Sequence, residues 1–321
     1  MSKVFFDELG LNTPDIEFDC GGGTHAEQTA KIMLACEGQF IQAQPDAVLV
    51  YGDTNSTLAA AICAYKMNIP VFHVEAGLRS FNLRMPEECN RIATDHLSTL
   101  LFCPTEKAVQ ELGKEGLYTH DGPASLLRPG IISCGDVMYD NSIHFASQVS
   151  SNRSEEDILL ATCHRPSNTD DPIVFEAILN VLAEIGKNVA PVVMPLHPRV
   201  MMHSEVIDRY RLSESLRLIE PVSYLTMIKL IKQSKAVITD SGGLQKESFF
   251  LKRPCVVMRD ETEWTELVEN GNAMLAGNKP AAIQKALQKL LASAHSYPSF
   301  YGEADAAHRI CDSILKYAST C

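Results

Sequence analysis

The sequence predicts an α/β protein made of two Rossmann-like, doubly wound domains. Two observations carry this. Strand-like apolar runs of four or five residues alternate with helix-like segments along the chain, as parallel sheets covered on both faces require. The rhythm is interrupted once, by the polar stretch Ser-Ser-Asn-Arg-Ser-Glu-Glu-Asp at 150–157, which reads as an inter-domain linker. At 321 residues each half is long enough to bury its own core.

In order, the pattern predicts a helix at Thr24–Gln42, a strand at Ala47–Tyr51, a helix at Ser56–Met67 and a strand at Val71–Val74. A helix at Glu87–Leu97, a strand at Leu100–Cys103 and a helix opened by Thr105 follow. The second half repeats the alternation: strand Ile158–Ala161, helix Ile173–Ile185, strands Val192–Leu196 and Leu216–Ile219, and helix Tyr224–Gln233. Strand Val237–Asp240, helix Leu244–Leu251, strand Cys255–Met258 and helices Ala281–Leu291 and Ala307–Tyr317 complete it. Domains are expected at 1–148 and 149–303, with a final helix in 304–321. Ahead of Thr24 stand only a helical Lys3–Leu9 and a Gly21–Gly23 loop, so the strand, turn and helix that normally open a doubly wound half are not found.

Hydrophobic residues make up 45% and charged residues 21%, an ordinary globular balance. A formal net charge of −12 argues against nucleic acid as a partner, yet permits a diphosphate, because helix N-termini bind phosphate locally. The 10 cysteines show no paired spacing, and Cys63, Cys103, Cys134 and Cys255 fall in apolar segments as small hydrophobes. A reducing compartment and no metal are expected. No run approaches the ~20 apolar residues that span a bilayer, and no signal peptide is evident. A cytoplasmic chain without a membrane partner is expected.

Carboxylates gather at the ends of the first-half strands. Asp53, in Val-Tyr-Gly-Asp-Thr-Asn-Ser-Thr, follows a strand and a glycine. Its plain alternative is an N-cap worth ~1 kcal/mol, although Asn55 and Ser56 can serve that helix. Glu75, in His-Val-Glu-Ala-Gly-Leu-Arg, ends a strand buried on both faces, where an unpaired carboxylate is costly. The alternative is an ion pair with Arg79 or Arg84. Glu87 and Glu88 open a helix after Pro86, an ordinary offset of the helix dipole, but Arg91 and Asp95 continue that face toward Asp53 and Glu75.

The second half carries anion chemistry. His164 and Arg165 follow a strand end and read as an acid or phosphate contact, with His197 a weaker candidate at the next strand end. Ser241, Gly242 and Gly243 follow the apolar run Ala236–Ile238 and start a helix, so glycine backbone and free helix amides can close on a diphosphate. The alternative is a plain strand–turn–helix. Glu247, one turn on, stands where a carboxylate can accept ribose hydroxyls, and Arg259 follows the next strand. No Gly-x-Gly-x-x-Gly follows a strand, so no nicotinamide and no other cofactor is expected. Acid–base groups in one half and a nucleotide cradle in the other describe an enzyme acting on a nucleotide sugar.

The set Gly-Asp-Thr-Asn-Ser-Thr, His-Val-Glu-Ala-Gly-Leu-Arg, Pro-Glu-Glu-Cys-Asn-Arg, His-Arg, Thr-Asp-Ser-Gly-Gly-Leu-Gln and Met-Arg-Asp-Glu-Thr-Glu resembles the non-hydrolysing UDP-N-acetylglucosamine 2-epimerases from Met1 to the last helix. The resemblance implies GT-B-type architecture, with the last helix returning to the first domain. It also implies C2 proton transfer by Asp53, Glu75 and Glu87, and UDP departure assisted by His164. Diphosphate and ribose binding by Ser241, Gly242, Gly243 and Glu247 follows from the same likeness. A homodimer is expected.

The stretches His-Arg-Pro-Ser-Asn-Thr-Asp and Thr-Glu-Trp-Thr-Glu look more like the branch acting on UDP-2,3-diacetamido-2,3-dideoxyglucuronate for bacterial surface polysaccharide such as O-antigen. Pro166 stands where some relatives carry an arginine that reaches an activating UDP-sugar, so that allosteric site is not expected. Rival expectations are a hydrolysing 2-epimerase, a retaining glycosyltransferase and a catalytically impaired UDP-sugar-binding subunit. The family chain opens with a strand and a Gly-x-Arg-Pro turn. Without that unit the chain is expected to be weakly stable, prone to associate and poor at holding UDP.

Overall fold

The computed structural model describes residues 8–120, 122–125, 127–149 and 157–320. The helix expected at 3–9 and the linker expected at 150–157 fall almost wholly outside them. The chain forms two compact units, one of 13–140 with 299–321 and the other of 1–12 with 141–298.

The first of these is a four-stranded parallel sheet in the order β1-β2-β3-β4, with β1 at Val48–Tyr51, β2 at Val71–Val74, β3 at Leu100–Cys103 and β4 at Gly130–Ser133. Helix α1 (His25–Ala43) precedes β1, α2 (Asn55–Lys66), α3 (Pro86–Leu97) and α4 (Glu106–Lys114) connect the strands, and α5 (Val137–Gln148) follows β4. α1 begins in a capping box, where Thr24 accepts from Glu27 N while the Glu27 carboxylate accepts from Thr24 N. β2 is buried along its whole length, so its side chains divide between two covered faces. Phe72 and Val74 pack with Leu100, Phe102, Cys134 and Ile310. Val71 packs on the opposite side with Val50, Ala61 and Ala64.

The second unit holds a six-stranded parallel sheet in the order β10-β9-β8-β5-β6-β7. Its strands are β5 (Ile158–Thr162), β6 (Val192–Pro195), β7 (Leu216–Ile219), β8 (Ser234–Thr239), β9 (Cys255–Val257) and β10 (Ala273–Leu275). Its longer helices are α6 (Pro172–Asn188), α7 (Tyr224–Gln233), α8 (Gly242–Phe250) and α9 (Pro280–Ala292). β5 lies between β6 and β8, so strand order reverses there. The crevice beyond the carboxyl ends of β5 and β8 is where an open α/β sheet takes its ligand. α10 (Ala306–Ala318) belongs to the first unit, with Tyr317 set edge-on to Phe72 at 5.1 Å between ring centroids.

Cys63, Cys103, Cys134 and Cys255 are all buried, as small hydrophobes are. Among the described residues no helix is long and apolar enough to cross a membrane.

Candidate active site

Register brings the first-half carboxylates together. Tyr51 pairs with Val74, so Asp53 and Glu75 leave adjacent strand ends. Both exits are left-handed turns, with φ of 63° at Gly52, 73° at Glu75 and 80° at Gly77. For Glu75 this is a conformation that L side chains rarely adopt and that surrounding structure must hold. Gly77 is glycine for a second reason: a Cβ there would lie 2.5 Å from the Ala108 carbonyl oxygen.

α3 buries a polar face made of Glu88, Asn90, Arg91, Thr94 and Asp95. That face organises the strand ends. Arg91 pairs with the Asp53 carboxylate and, at 3.2 Å, with Glu88. The amide of Asn90 donates to the Asp53 carbonyl at 2.9 Å. Glu88 accepts from the backbone of Ser80 and Phe81 at 2.9 and 2.8 Å, so it anchors the loop after β2. Glu87, its neighbour, is half-exposed. Pro86 takes the first helical position, which moves the two glutamates one place deeper than expected.

Burial pushes the Asp53 carboxyl above its usual range; Arg91 opposes this, while the nearby Glu75 and Glu87 charges add to it. Glu75 and Glu87 are thus each within electrostatic reach of Asp53. The helix after Asp53 is capped by Thr54, whose hydroxyl accepts from Thr57 N, so capping falls to neither Asp53 nor Asn55 nor Ser56. Arg79 donates to Asp95 at 2.7 Å and forms a two-pronged pair with Glu115. Asp95 was expected to face Asp53 and Glu75. It is instead fully buried and turned to His73, Gly77 and Arg79.

In the second unit the switch-point crevice holds the expected anion residues. Asp240, fully buried at the end of β8, accepts from the amides of His164 and Arg165 and from the Asn168 side chain at 2.8–3.0 Å. Its other oxygen lies 2.9 Å from His164 Nδ1. Burial alone would raise this carboxyl, but the His164 contacts and the two amides hold it below the usual range. With Nδ1 on Asp240, the Nε2 side of His164 is left to face a ligand. The His197 ring lies 5.3 Å from that of His164, and burial with the His164 charge lowers its pKa. His197 also caps the short helix Pro198–His203 by accepting from Arg199 N at 3.1 Å.

Ser241 caps α8 by accepting from Leu244 N, which leaves the Gly242 and Gly243 amides in the open first turn. Arg259 and Glu263 pair at 3.0 Å beside this turn. A Cβ on Gly242 would lie 2.7 Å from Glu263 Oε1 and 3.7 Å from an Arg259 nitrogen, so a side chain there would have to displace the Glu263 carboxylate. Gln245 is tied to the neighbouring loop by Thr262, 2.7 Å away.

Glu247 is buried, and burial raises its pKa to about 7 despite a hydrogen bond from Tyr224. Its folded pKa lies above the unfolded value, so folding takes up a proton. The stabilisation is complete below about pH 4.5 and is lost as pH rises through 7. We expect Glu247→Gln to flatten the fall in melting temperature between pH 5 and 8, a difference on the order of 3 kcal/mol at pH 8. Parallel melting curves for the two proteins would contradict this.

Among the described residues no group of three or more His, Cys, Asp or Glu is placed to hold a metal ion. Asp240 and His73 are the functional candidates that sequence reasoning passed over. Asp240 stood inside the quoted Thr-Asp-Ser-Gly-Gly motif, where an Asp ending a buried strand was the available signal. His73 stood first in the quoted His-Val-Glu-Ala-Gly-Leu-Arg motif, but its spacing pointed to no partner.

Two Rossmann-like units with polar chemistry at their strand ends define a GT-B-type protein. The chain belongs to the UDP-N-acetylglucosamine 2-epimerase family, which matches residues 1–315. The UDP-2,3-diacetamido-2,3-dideoxy-D-glucuronate 2-epimerase of Pseudomonas aeruginosa is 44% identical over 320 residues, covering 98% of this chain and 88% of that one. The crystal structure of the Methanocaldococcus jannaschii UDP-GlcNAc 2-epimerase in complex with UDP-GlcNAc and UDP superposes with a TM-score of 0.87 at 36% identity, covering 99% and 88% of the two chains. A UDP co-structure of the Staphylococcus aureus relative gives 0.86 at 28% identity, covering 100% and 87%.

Proposed function

We propose that the chain is an isomerase that inverts C2 of a UDP-acetamido sugar without net hydrolysis. The observation that carries this reading is the placement of Asp53 and Glu75 past adjacent strand ends, with Asp53 feeling the charges of both Glu75 and Glu87. A C2 proton beside an acetamido group is too weakly acidic for simple removal. In anti elimination a carboxylate takes that proton as the C1–O bond breaks, and the bonding electrons leave with UDP. The product is a 2-acetamidoglycal. A second carboxylate returns a proton to the opposite face of C2 while a UDP oxygen re-forms the bond to C1. The cycle is redox-neutral and calls for no cofactor.

Glu75 and Glu87 are assigned to opposite faces of C2, with Asp53 supporting the transferred proton. His164, held on Asp240, assists departure of UDP. Arg165, His197, Arg259 and the Ser241–Gly242–Gly243 turn are assigned to the diphosphate, and Glu247 to the ribose. The preferred substrate is the diacetamido-uronate, supported by the 44% identity to the Pseudomonas aeruginosa enzyme. We place the chain in the cytoplasm as a homodimer serving surface polysaccharide synthesis; a sedimentation mass of one chain would remove the dimer.

Turnover in deuterated water is expected to place one deuterium at C2 of both epimers. Epimers without deuterium would overturn the mechanism, and free UDP accumulating in proportion to turnover would select a hydrolysing enzyme. Assaying UDP-N-acetylglucosamine beside the diacetamido-uronate settles the substrate.

A further inference from the structure

Two consecutive residues of α3 hold Asp53 from different sides. Arg91 pairs with its carboxylate, while the buried Asn90 donates from its amide to the Asp53 main-chain carbonyl at 2.9 Å. The second contact fixes the plane of the Asp53–Thr54 peptide. Turning that plane changes the ψ torsion of Asp53 and carries its Cβ along, because Thr54 is locked in the cap of α2. Ahead of Asp53, Gly52 leaves β1 with a φ of 63°, and the Tyr51 carbonyl before it accepts from Thr57 Oγ1 at 2.6 Å. The main chain is therefore held on both sides of a permissive glycine.

A carbonyl oxygen only accepts, so the Asn90 atom that faces Asp53 is its NH2. An Asn90 rotated the other way would oppose two oxygens, which is costly in a buried place. The same NH2 lies 3.2 Å from Asn55 Oδ1, so Asn55 turns its own NH2 away from Asn90. That group donates to Gln28 Oε1 at 2.6 Å and lies 3.0 Å from His25 Nδ1. Asn90, Asn55 and Gln28 thus share one consistent orientation, each amide set by its neighbour. The row runs from Asp53 to the first turns of α1. α1 is itself seated on α2 through Ile32, Cys36, Ala59 and Cys63, so the far end of the row rests on packed core.

We propose that Asn90 is a positioning residue that sets the Asp53 carboxylate by holding its main chain, and that Asn55, backed by α1, keeps Asn90 in the orientation this requires. The inference rests on the reading of Asp53 as the group that supports the transferred proton. Neither Asn90 nor Asn55 is assigned contact with substrate.

The test uses variants of the whole chain, read by C2 deuterium exchange into the UDP-acetamido sugar and by UDP affinity. Asn90→Leu keeps the branched shape and removes the donor. It is expected to lower exchange roughly tenfold or more, as a misplaced catalytic group does, with UDP affinity unchanged. Asn55→Ala, at the half-buried start of α2 where alanine suits a helix, is expected to lower exchange by a smaller factor. The deciding comparison repeats both changes on Asp53→Asn, itself slower by on the order of 10²-fold. With no carboxylate left to place, each change is expected to cost less than about twofold there. Equal factors in the two backgrounds would mark a general structural support and overturn the proposal. Loss of UDP affinity in step with exchange overturns it as well. Should Asn90→Leu fail to fold, Asn55→Ala and its double variant give the same decision. Near-normal exchange in Asp53→Asn would remove the reading of Asp53 and the positioning role with it. Slow Asp53→Asn beside undiminished Asn90→Leu and Asn55→Ala would remove the positioning role alone.

Discussion

Glutamine in place of Glu75 is expected to lower turnover by on the order of 10²-fold or more. The exchange keeps shape and hydrogen-bonding capacity but removes the proton acceptor. UDP affinity is expected to hold, since the residues assigned to the diphosphate belong to the second unit. Asp53→Asn should cost as much in turnover and also some stability, because Arg91 loses a charged partner and keeps Glu88. Glu87→Gln should cost turnover alone: the side chain is half-exposed, while the neighbouring Glu88 carries the structural contacts. Near-normal rates in all three variants would remove the assignment.

Asp240→Ala is expected to be the most destabilising single change in the second unit. It strands the amides of His164 and Arg165, each a donor whose buried loss costs about 1–3 kcal/mol, and leaves the Asn168 side chain with only the Met258 carbonyl. UDP affinity should fall with stability, since the turn that presents His164 and Arg165 loses its anchor. The pH dependence has a definite sign. A carboxyl depressed by folding stabilises above its unfolded pKa, and that contribution disappears as pH falls through the folded value. Wild-type melting temperature should therefore drop steeply in acid, and Asp240→Ala should drop less. A variant that melts with wild type at pH 7 would show the anchor to be dispensable.

Most strands and helices were legible because parallel strands, covered on both faces, are near-continuous apolar runs. Tyr224–Gln233 matches the expected helix end to end, and Val71–Val74 and Leu100–Cys103 match the expected strands. β4 was missed: four half-buried residues opened by Pro129–Gly130 look like a turn. β10 was missed because three residues are too few to show a period. The candidate site was legible where a carboxylate or glycine stood just past a strand. It was illegible where partners come from distant segments. Asp95 and His73 are 22 residues apart, and only the packing of α3 on β2 reveals that they meet. The cap of α2 shifted by one residue to Thr54 because strand-end geometry, which spacing does not encode, decides which side chain faces the helix amides.

The placement of α10 bears on synthesis. Ile310 and Tyr317 pack against the β2 face of the first unit, so that core needs residues from both sides of the second unit in the chain. A nascent chain emerging at roughly 5–20 residues per second would have β1 to β4 outside the ribosome many seconds before α10 is made. Through that interval Phe72 and Val74 lack part of their cover, and the whole sheet of the second unit is translated before α10 is made. The half that carries Asp53 and Glu75 thus waits for its last helix until after the sheet of the second unit is made. Ribosome-bound chains halted before residue 299 should present an apolar sheet face that a chaperone can bind.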